Sequence, residues 1–293
     1  MKVLIAGGGG FLGAEIIKNL IQSGFDVKSL GRGLSSSIDC EQIIGDIMIL
    51  DSYSKSLSNW KPEVVIQAAW VTNQKTYRTS PLNSEYMHAT LNFAKQSYLS
   101  GTQHFLALGS SAEYGSPTEP CNSFSTIAAP RDSYGTNKLQ TLGKLVEIAE
   151  KFSTRFSWAR IFQPYGPNQD PTRLLPFATQ ELLAGHSFKV SNPNVILDWI
   201  SSRDVASALT YAIKNPLNQI FDVGTSEPVS VLQALQTLAI LLNVNPELLR
   251  IEGKTGMGDE KFLMVVSKES PLFKAKWAPQ DDLISGLKWT LSS

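Results

Sequence analysis

Tyr134 and Lys138 stand four positions apart, and of the eight tyrosines only Tyr134 has a lysine at that distance. On a helix this spacing puts both side chains on one face. A phenol titrates near pH ~10, too high for proton exchange at neutrality, but a neighbouring ammonium stabilises tyrosinate and draws the value down. The pair is a candidate proton donor. Taken alone, it describes a surface aromatic–lysine pair equally well. Its weight comes from two other segments. Residues 7–13 read Gly-Gly-Gly-Gly-Phe-Leu-Gly directly after an apolar run, Val3 to Ala6. A second apolar run, residues 104–108, leads into Gly109-Ser110-Ser111-Ala112-Glu113-Tyr114-Gly115. A serine at such a place can hydrogen-bond a substrate carbonyl or hydroxyl; its bland alternative is an ordinary turn or helix cap.

The glycine run fits two spacings at once. Gly8, Gly10 and Gly13 match G-x-G-x-x-G, and Gly7, Gly10 and Gly13 match G-x-x-G-x-x-G. Glycine permits a tight turn and lets backbone approach a pyrophosphate, while the next helix aims its N-terminal N–H groups at the phosphates. A flexible strand–helix connection would use the same residues. Here the run follows a strand pattern and opens an amphipathic helix, so dinucleotide binding is the better reading. A NAD site often has an acidic residue at the end of the second strand. Val27-Lys28-Ser29-Leu30 ends instead in Gly31-Arg32. A guanidinium there can pair with a 2′-phosphate, so NADP(H) is favoured and NAD(H) is the alternative.

These residues need a frame. Strand patterns at 2–6, 26–30, 63–68, 104–108 and 155–160 alternate with helical patterns, including 81–99 and 133–151. Leu12, Ile16, Ile17, Leu20 and Ile21 repeat at helical spacing before Gly24. Continuous apolar strands such as Val64-Val65-Ile66 suit a sheet covered on both faces. The expected fold is α/β: a Rossmann-type, doubly wound parallel sheet with a smaller α/β C-terminal substrate lobe. Residues 1–165 are assigned to the NAD(P)-binding part, with 200–224 returning to it, and 166–293 mainly to the substrate lobe. Residues 163–171 are dense in turn formers and read as a loop. Later helices are expected at 174–184, 202–214, 231–242 and 282–291.

Composition narrows the function. The 293 residues carry 26 Lys plus Arg against 26 Asp plus Glu. No net positive charge exists to attract nucleic acid or an anionic membrane. The first apolar run is too short for a signal peptide or a membrane span. Cys40 and Cys121 form no close-spaced metal or redox motif, no metal site is expected, and a reducing cytoplasm fits.

The whole pattern resembles the extended short-chain dehydrogenase/reductase family, the NAD(P)-dependent nucleotide-sugar epimerases, dehydratases and reductases. The resemblance runs through the glycine turn, Gly45-Asp46-Ile47, Gln67-Ala68-Ala69, the Ser-Ser…Tyr-Gly segment and Tyr134/Lys138. It continues through Arg160-Ile-Phe-Gln-Pro-Tyr-Gly-Pro167, Arg203-Asp204-Val205-Ala206 and Phe221-Asp-Val-Gly224. It implies catalytic Ser110, Tyr134 and Lys138, with Lys138 also holding the nicotinamide ribose. It implies cofactor contacts from Gly7, Gly10, Phe11, Leu12, Gly13, Arg32, Asp46, Ile47, Ala68, Ala69 and Pro164. Ser111 and Gln163 would touch the substrate, and a homodimer would form through the helices at 81–99 and 133–151.

Three departures shape the expected reaction. Many dehydratases follow the catalytic hydroxyl with Asp-Glu, where this chain has Ser111-Ala112, so dehydration is disfavoured. Many relatives place Arg before Asp-Phe/Trp to grip the diphosphate, where this chain has Leu197-Asp198-Trp199. Arg173 and Arg203 are then the candidate cations. Tyr86 stands where an Asn often supports a proton relay. With Arg32 favouring NADPH, the first expectation is reduction of a keto-sugar on a nucleotide, with Tyr134 as proton donor. The alternative is an NAD-dependent nucleotide-sugar 4-epimerase, and a non-catalytic NADP sensor comes last because the Tyr-Lys pair is retained.

Overall fold

The computed structural model describes residues 1–215, 217, 219–251 and 262–293. In chain order the strands are β1 (Lys2–Ala6), β2 (Asp26–Gly31), β3 (Glu41–Ile44), β4 (Val64–Gln67), β5 (His104–Ser110), β6 (Arg155–Ile161), β7 (Gln163–Tyr165), β8 (Phe188–Val190), β9 (Ile196–Ser201), β10 (Ile220–Val223), β11 (Pro228–Ser230), β12 (Leu249–Ile251) and β13 (Leu263–Met264). The main helices are α1 (Phe11–Gln22), α2 (Ser54–Trp60), α3 (Leu82–Leu99), α4 (Ser133–Phe152), α5 (Leu174–Leu183), α6 (Ser202–Lys214) and α7 (Val231–Leu241), with α8 (Pro271–Lys274) and α9 (Leu283–Ser292) closing the chain.

Seven strands form one sheet in the order β10-β6-β5-β4-β1-β2-β3, every pairing parallel. The central strands are apolar on both faces because helices cover both. On one side α1 and α6 bury Ile16, Ile17, Leu20, Val205 and Leu209 against Val3, Ile5 and Ile66. On the other, α3 and α4 bury Phe93, Ala94, Leu142 and Leu145 against Leu4, Val65 and Phe105. The chain leaves β1 towards β2 and β3, then returns to β4 on the far side of β1. This reversal opens a crevice at the carboxyl ends of the strands. The α/β doubly wound fold expected from the sequence is the one observed.

The smaller layer holds β7, β9, β11 and β13 in one sheet and β8 with β12 in another. Its core packs Leu175, Ala178 and Leu182 of α5 with Trp199, Leu235, Leu238 and Leu287. Asp198 in β9 is fully buried and accepts from Thr225 N–H (2.6 Å), Thr225 hydroxyl (2.7 Å), Ser226 N–H (2.9 Å) and Val266 N–H (3.0 Å). Burial raises its pKa while these donors oppose the rise. Asp198 is thus a tie between segments distant in sequence.

Residues 163–171 are not loop throughout. Gln163–Tyr165 is strand β7, pairing in parallel with Trp199–Ser201. A three-residue strand containing proline carries too little pattern to be read locally. The sequence pattern also lacks a signal for β3, a four-residue edge strand exposed at both ends. Among the described residues, no helix is long and apolar enough to cross a membrane.

Candidate active site

The first turn uses Gly7, Gly8, Gly10 and Gly13, so both spacings describe it: a Cβ on Gly8 would meet the Ser29 and Ile17 side chains. Gly7 has φ +85°, and a Cβ there would lie 2.8 Å from Ala69 N. Its N–H donates to Leu30 O (3.0 Å), and its carbonyl accepts from Gly10 N–H (3.1 Å). A Cβ on Gly13 would collide with the Gly7 carbonyl and with Gly8. Gly10 caps α1 without any side-chain hydrogen bond, leaving first-turn N–H groups for something else. These glycines make a cradle that side chains would fill, and its shape suits a pyrophosphate.

Gly7, Gly10, Phe11, Leu12 and Gly13 open onto one cavity, together with Arg32, Asp46, Ile47, Ala68, Ala69 and Pro164. Arg32 is exposed at the rim with Ser35 and Gln42 beside it. Asp46 is held by two local bonds: its carboxylate accepts from Met48 N–H (2.9 Å), and its N–H donates to the Ser52 hydroxyl (2.9 Å). The cavity volume is ≈ 2110 Å³. Pockets for one ligand run to roughly 300–1,000 Å³, so the space suits two ligands end to end.

Ser110, Tyr134 and Lys138 all line that cavity. Tyr134 lies in the first turn of α4, whose N-cap Asp132 accepts from Gly135 N–H (2.8 Å). Tyr134 N–H donates to Arg78 O (3.0 Å), and the Tyr77 ring packs edge-on against the phenol ring at 5.0 Å. The Ser110 side chain neighbours the Tyr134 phenol and favours its ionised form. Lys138 Nζ donates to Leu108 O (2.7 Å) and lies 3.8 Å from the Trp70 ring centroid and 5.9 Å from that of Tyr134.

The electrostatics correct one expectation. Lys138 was to lower the Tyr134 pKa. Burial instead pushes the phenol above its ordinary value, with the Ser110 side chain opposing it. The same burial drives Lys138 down to about 7, against the pull of Glu113. Desolvation disfavours both charged forms, and it outweighs their proximity.

Glu113, one place off the usual acid position, is fully buried. It accepts from Ser110 N–H (2.8 Å), Trp158 Nε1–H (3.0 Å) and Arg160 Nε–H (2.7 Å). Arg160 also donates to the Tyr114 hydroxyl (3.0 Å), which donates to Asp222 (2.7 Å). Burial lifts Asp222 to about 7.

Of the candidate substrate residues, Ser111, Gln163 and Arg173 line the cavity. The Arg173 guanidinium stacks over Tyr77 at 4.9 Å and favours the ionised form of Tyr134. Arg203 is not among the lining residues. It pairs with Asp281 through two nitrogens and lies 4.6 Å over the Trp289 ring. Leu197 lines the cavity and presents no charge where relatives often carry Arg. Trp70, Tyr77 and Arg78, which sequence reasoning missed, come from residues 69–80, a segment without periodicity. Only the clustering of aromatics and a cation around Asn73-Gln74 could have marked it.

Comparison with known proteins adds three findings. A model described as the NAD dependent epimerase/dehydratase family matches residues 3–224. A curated UDP-glucose 4-epimerase from Yersinia enterocolitica is 23% identical over 278 residues, covering 80% of this chain and 81% of the relative. A putative UDP-glucose 4-epimerase from Methanocaldococcus jannaschii is 23% identical over 297 residues, covering 98% and 96%. Among solved structures, UDP-glucose 4-epimerase from Thermus thermophilus in complex with NAD superposes with TM-score 0.89 at 21% identity, covering 100% and 98%. A dTDP-glucose 4,6-dehydratase from Bacillus anthracis in complex with NAD gives 0.83 at 16% identity, covering 100% and 96%. The structural likenesses establish the shared fold.

Proposed function

The chain belongs to the NAD dependent epimerase/dehydratase family, and from that premise we propose that it is an NAD(P)-dependent 4-epimerase of a nucleotide-activated sugar. The observation that carries this reading is the meeting of Ser110, Tyr134 and Lys138 beside a glycine cradle, in a cavity roomy enough for two ligands. Keto-sugar reduction, the first expectation from the sequence, gives way because the matched relatives bear epimerase and dehydratase names.

Gly7, Gly10, Gly13 and the first N–H groups of α1 hold the pyrophosphate. Asp46 and Ile47 border the adenine, while Ala68, Ala69 and Pro164 line the nicotinamide half. Bound there, the dinucleotide supplies a hydride acceptor and, when oxidised, a positive ring charge. With the bound dinucleotide supplying the hydride chemistry, Tyr134 would take the proton of the sugar C4 hydroxyl and later return it to the same oxygen. Ser110 hydrogen-bonds the same oxygen. Lys138 holds the ribose hydroxyls, and Arg173 favours the phenolate. Ser111, Gln163 and Arg173 contact the sugar and its diphosphate. Dehydration is disfavoured because the Glu113 carboxylate, the acid nearest Ser110 in sequence, is engaged by Ser110, Trp158 and Arg160.

The test is incubation of the purified protein, without added cofactor, with UDP-, GDP-, CDP- and dTDP-sugars, followed by proton NMR at C4. A C4 epimer formed in D2O without deuterium at C4 supports the reading, because the hydride stays internal. A product heavier by two hydrogens, formed from a 4-keto-6-deoxy nucleotide sugar only when NADPH is added, replaces it by keto-reduction. One observation favours that second reading: Arg32 follows β2 with no carboxylate at the strand end. A homodimer through α3 and α4 would join faces that expose Glu85, His88, Lys95, Lys144 and Glu147. Its association would therefore weaken with salt, as read by size exclusion.

A further inference from the structure

We infer that Trp70 is a positioning residue for Lys138: its indole face carries the ammonium, and its N–H, through Asn83, ties that ammonium to the segment supporting Tyr134. The inference rests on the reading of Tyr134 and Lys138 as the proton-handling pair and assigns the residue that holds them in register.

Lys138 is 5% exposed, and among the described residues the one acceptor bonded to its three N–H donors is Leu108 O at 2.7 Å. Three aromatic rings lie close to the ammonium. The Trp70 centroid lies 3.8 Å from Nζ, against 5.9 Å for both Trp158 and Tyr134. A ring face attracts a cation through its quadrupole, most strongly for tryptophan and where water is excluded. Trp70 is itself fixed. Its Nε1–H donates to Asn83 Oδ1 (2.9 Å), and the Tyr86 ring lies against it at 5.8 Å. Asn83 is fully buried and donates to Tyr77 O (2.6 Å) and Ser80 O (3.0 Å). The same short segment supplies the Tyr77 ring against Tyr134 and the Arg78 carbonyl that accepts Tyr134 N–H. On its other side Trp70 follows Ala69, whose backbone abuts Gly7. One residue thus joins the cofactor turn, the ammonium and the phenol.

The groups acting on Lys138 leave the ring a defined task. Glu113, in the turn after β5, favours the charged form. Its partner Arg160 on β6 offsets part of that. Tyr134 shares α4, Tyr86 of α3 lies behind the indole, and Arg78 is paired with Asp132 at 2.7 Å. Burial opposes the charge, leaving Lys138 near the point where protonated and neutral forms balance at neutral pH. The Trp70 face shifts that balance towards the ammonium that the ribose contact requires.

Site-specific replacement of Trp70 by mono-, di- and tetrafluorotryptophan keeps the shape while draining the ring face of negative potential. The Lys138 midpoint is read from the ¹³Cε shift of labelled lysine in the ligand-free protein. It should fall stepwise, by about one pH unit across the series, and the alkaline limb of kcat should fall with it while KM holds. A midpoint unmoved by fluorination overturns the inference. Trp70→Phe keeps a face but loses the bond to Asn83. It should leave the midpoint within a few tenths of a unit and lower kcat severalfold; an unchanged kcat overturns the link to Tyr134. The midpoint series needs no turnover. If no sugar is epimerised yet the midpoint steps down, the proposed reaction fails and this inference stands.

Discussion

Replacing Glu113 by glutamine isolates the charge beneath the site. The side chain keeps its shape, but Arg160, 3% exposed, loses its carboxylate partner at 2.7 Å and retains the Tyr114 hydroxyl at 3.0 Å. The new amide nitrogen also faces donors, since Trp158 and Ser110 both aim N–H groups at Glu113. Removing one member of a buried ion pair costs about 3–5 kcal/mol. Unfolding entropy is about 2.1 cal/mol/K per residue, or about 0.6 kcal/mol/K for 293 residues, so the midpoint should fall by about 5–8 °C. The assay is thermal unfolding followed by circular dichroism at neutral pH. A Glu113→Gln/Arg160→Met double variant should recover part of the loss, because it removes the stranded cation. A fall under about 1 °C for the single variant, or a double variant no better than the single, refutes the account of an ionic buried pair.

Tyr134→Phe should lower kcat by roughly 10²–10⁴-fold while dinucleotide binding by fluorescence titration is retained. Gly13→Ala should abolish that binding, because the added methyl meets the Gly7 carbonyl; titration up to millimolar cofactor checks it. Arg32→Ala should lower the affinity for NADP more than that for NAD, and equal losses in calorimetry would remove the 2′-phosphate assignment. His104 is buried against the Ser157 hydroxyl at 2.9 Å, and burial holds it down to about 3 from 6.5. Its contribution to stability is complete above pH 6.5 and is lost as pH falls towards 3, because the unfolded chain takes up the proton first. The slope is about 1.4 kcal/mol per pH unit, and urea unfolding of His104→Gln between pH 4 and 7 should lose it.

Much of this was legible locally. The glycine run, the short apolar strands and the four-residue spacing of Tyr134 and Lys138 each report on neighbours close in sequence. What escaped depends on distant partners. Arg203 reads as a free cation until Asp281, 78 residues on, takes it. The Tyr134–Lys138 spacing foretells contact but not ionisation, because burial comes from Trp70 in the loop after β4 and Trp158 on β6. Glu113 looks like a displaced catalytic acid; only the packing of Trp158 and Arg160 around it shows it engaged. Arg32 invites a cofactor assignment, yet the cavity it borders is also lined by Leu197, which carries no charge.

The return of β10 to the edge of β6 bears on how the chain is born. A ribosome that has released residues 1–165 has delivered the cradle, Ser110, Tyr134 and Lys138, yet β6 still has an open flank. The apolar faces of α1 and β1 still await Val205, Leu209, Phe221 and Val223. The nascent N-terminal part is a sticky intermediate for the time needed to translate about sixty further codons, roughly 3–12 s at 5–20 residues per second. Rare codons placed between residues 165 and 223 should therefore lower soluble yield, whereas the same codons after residue 224 should not.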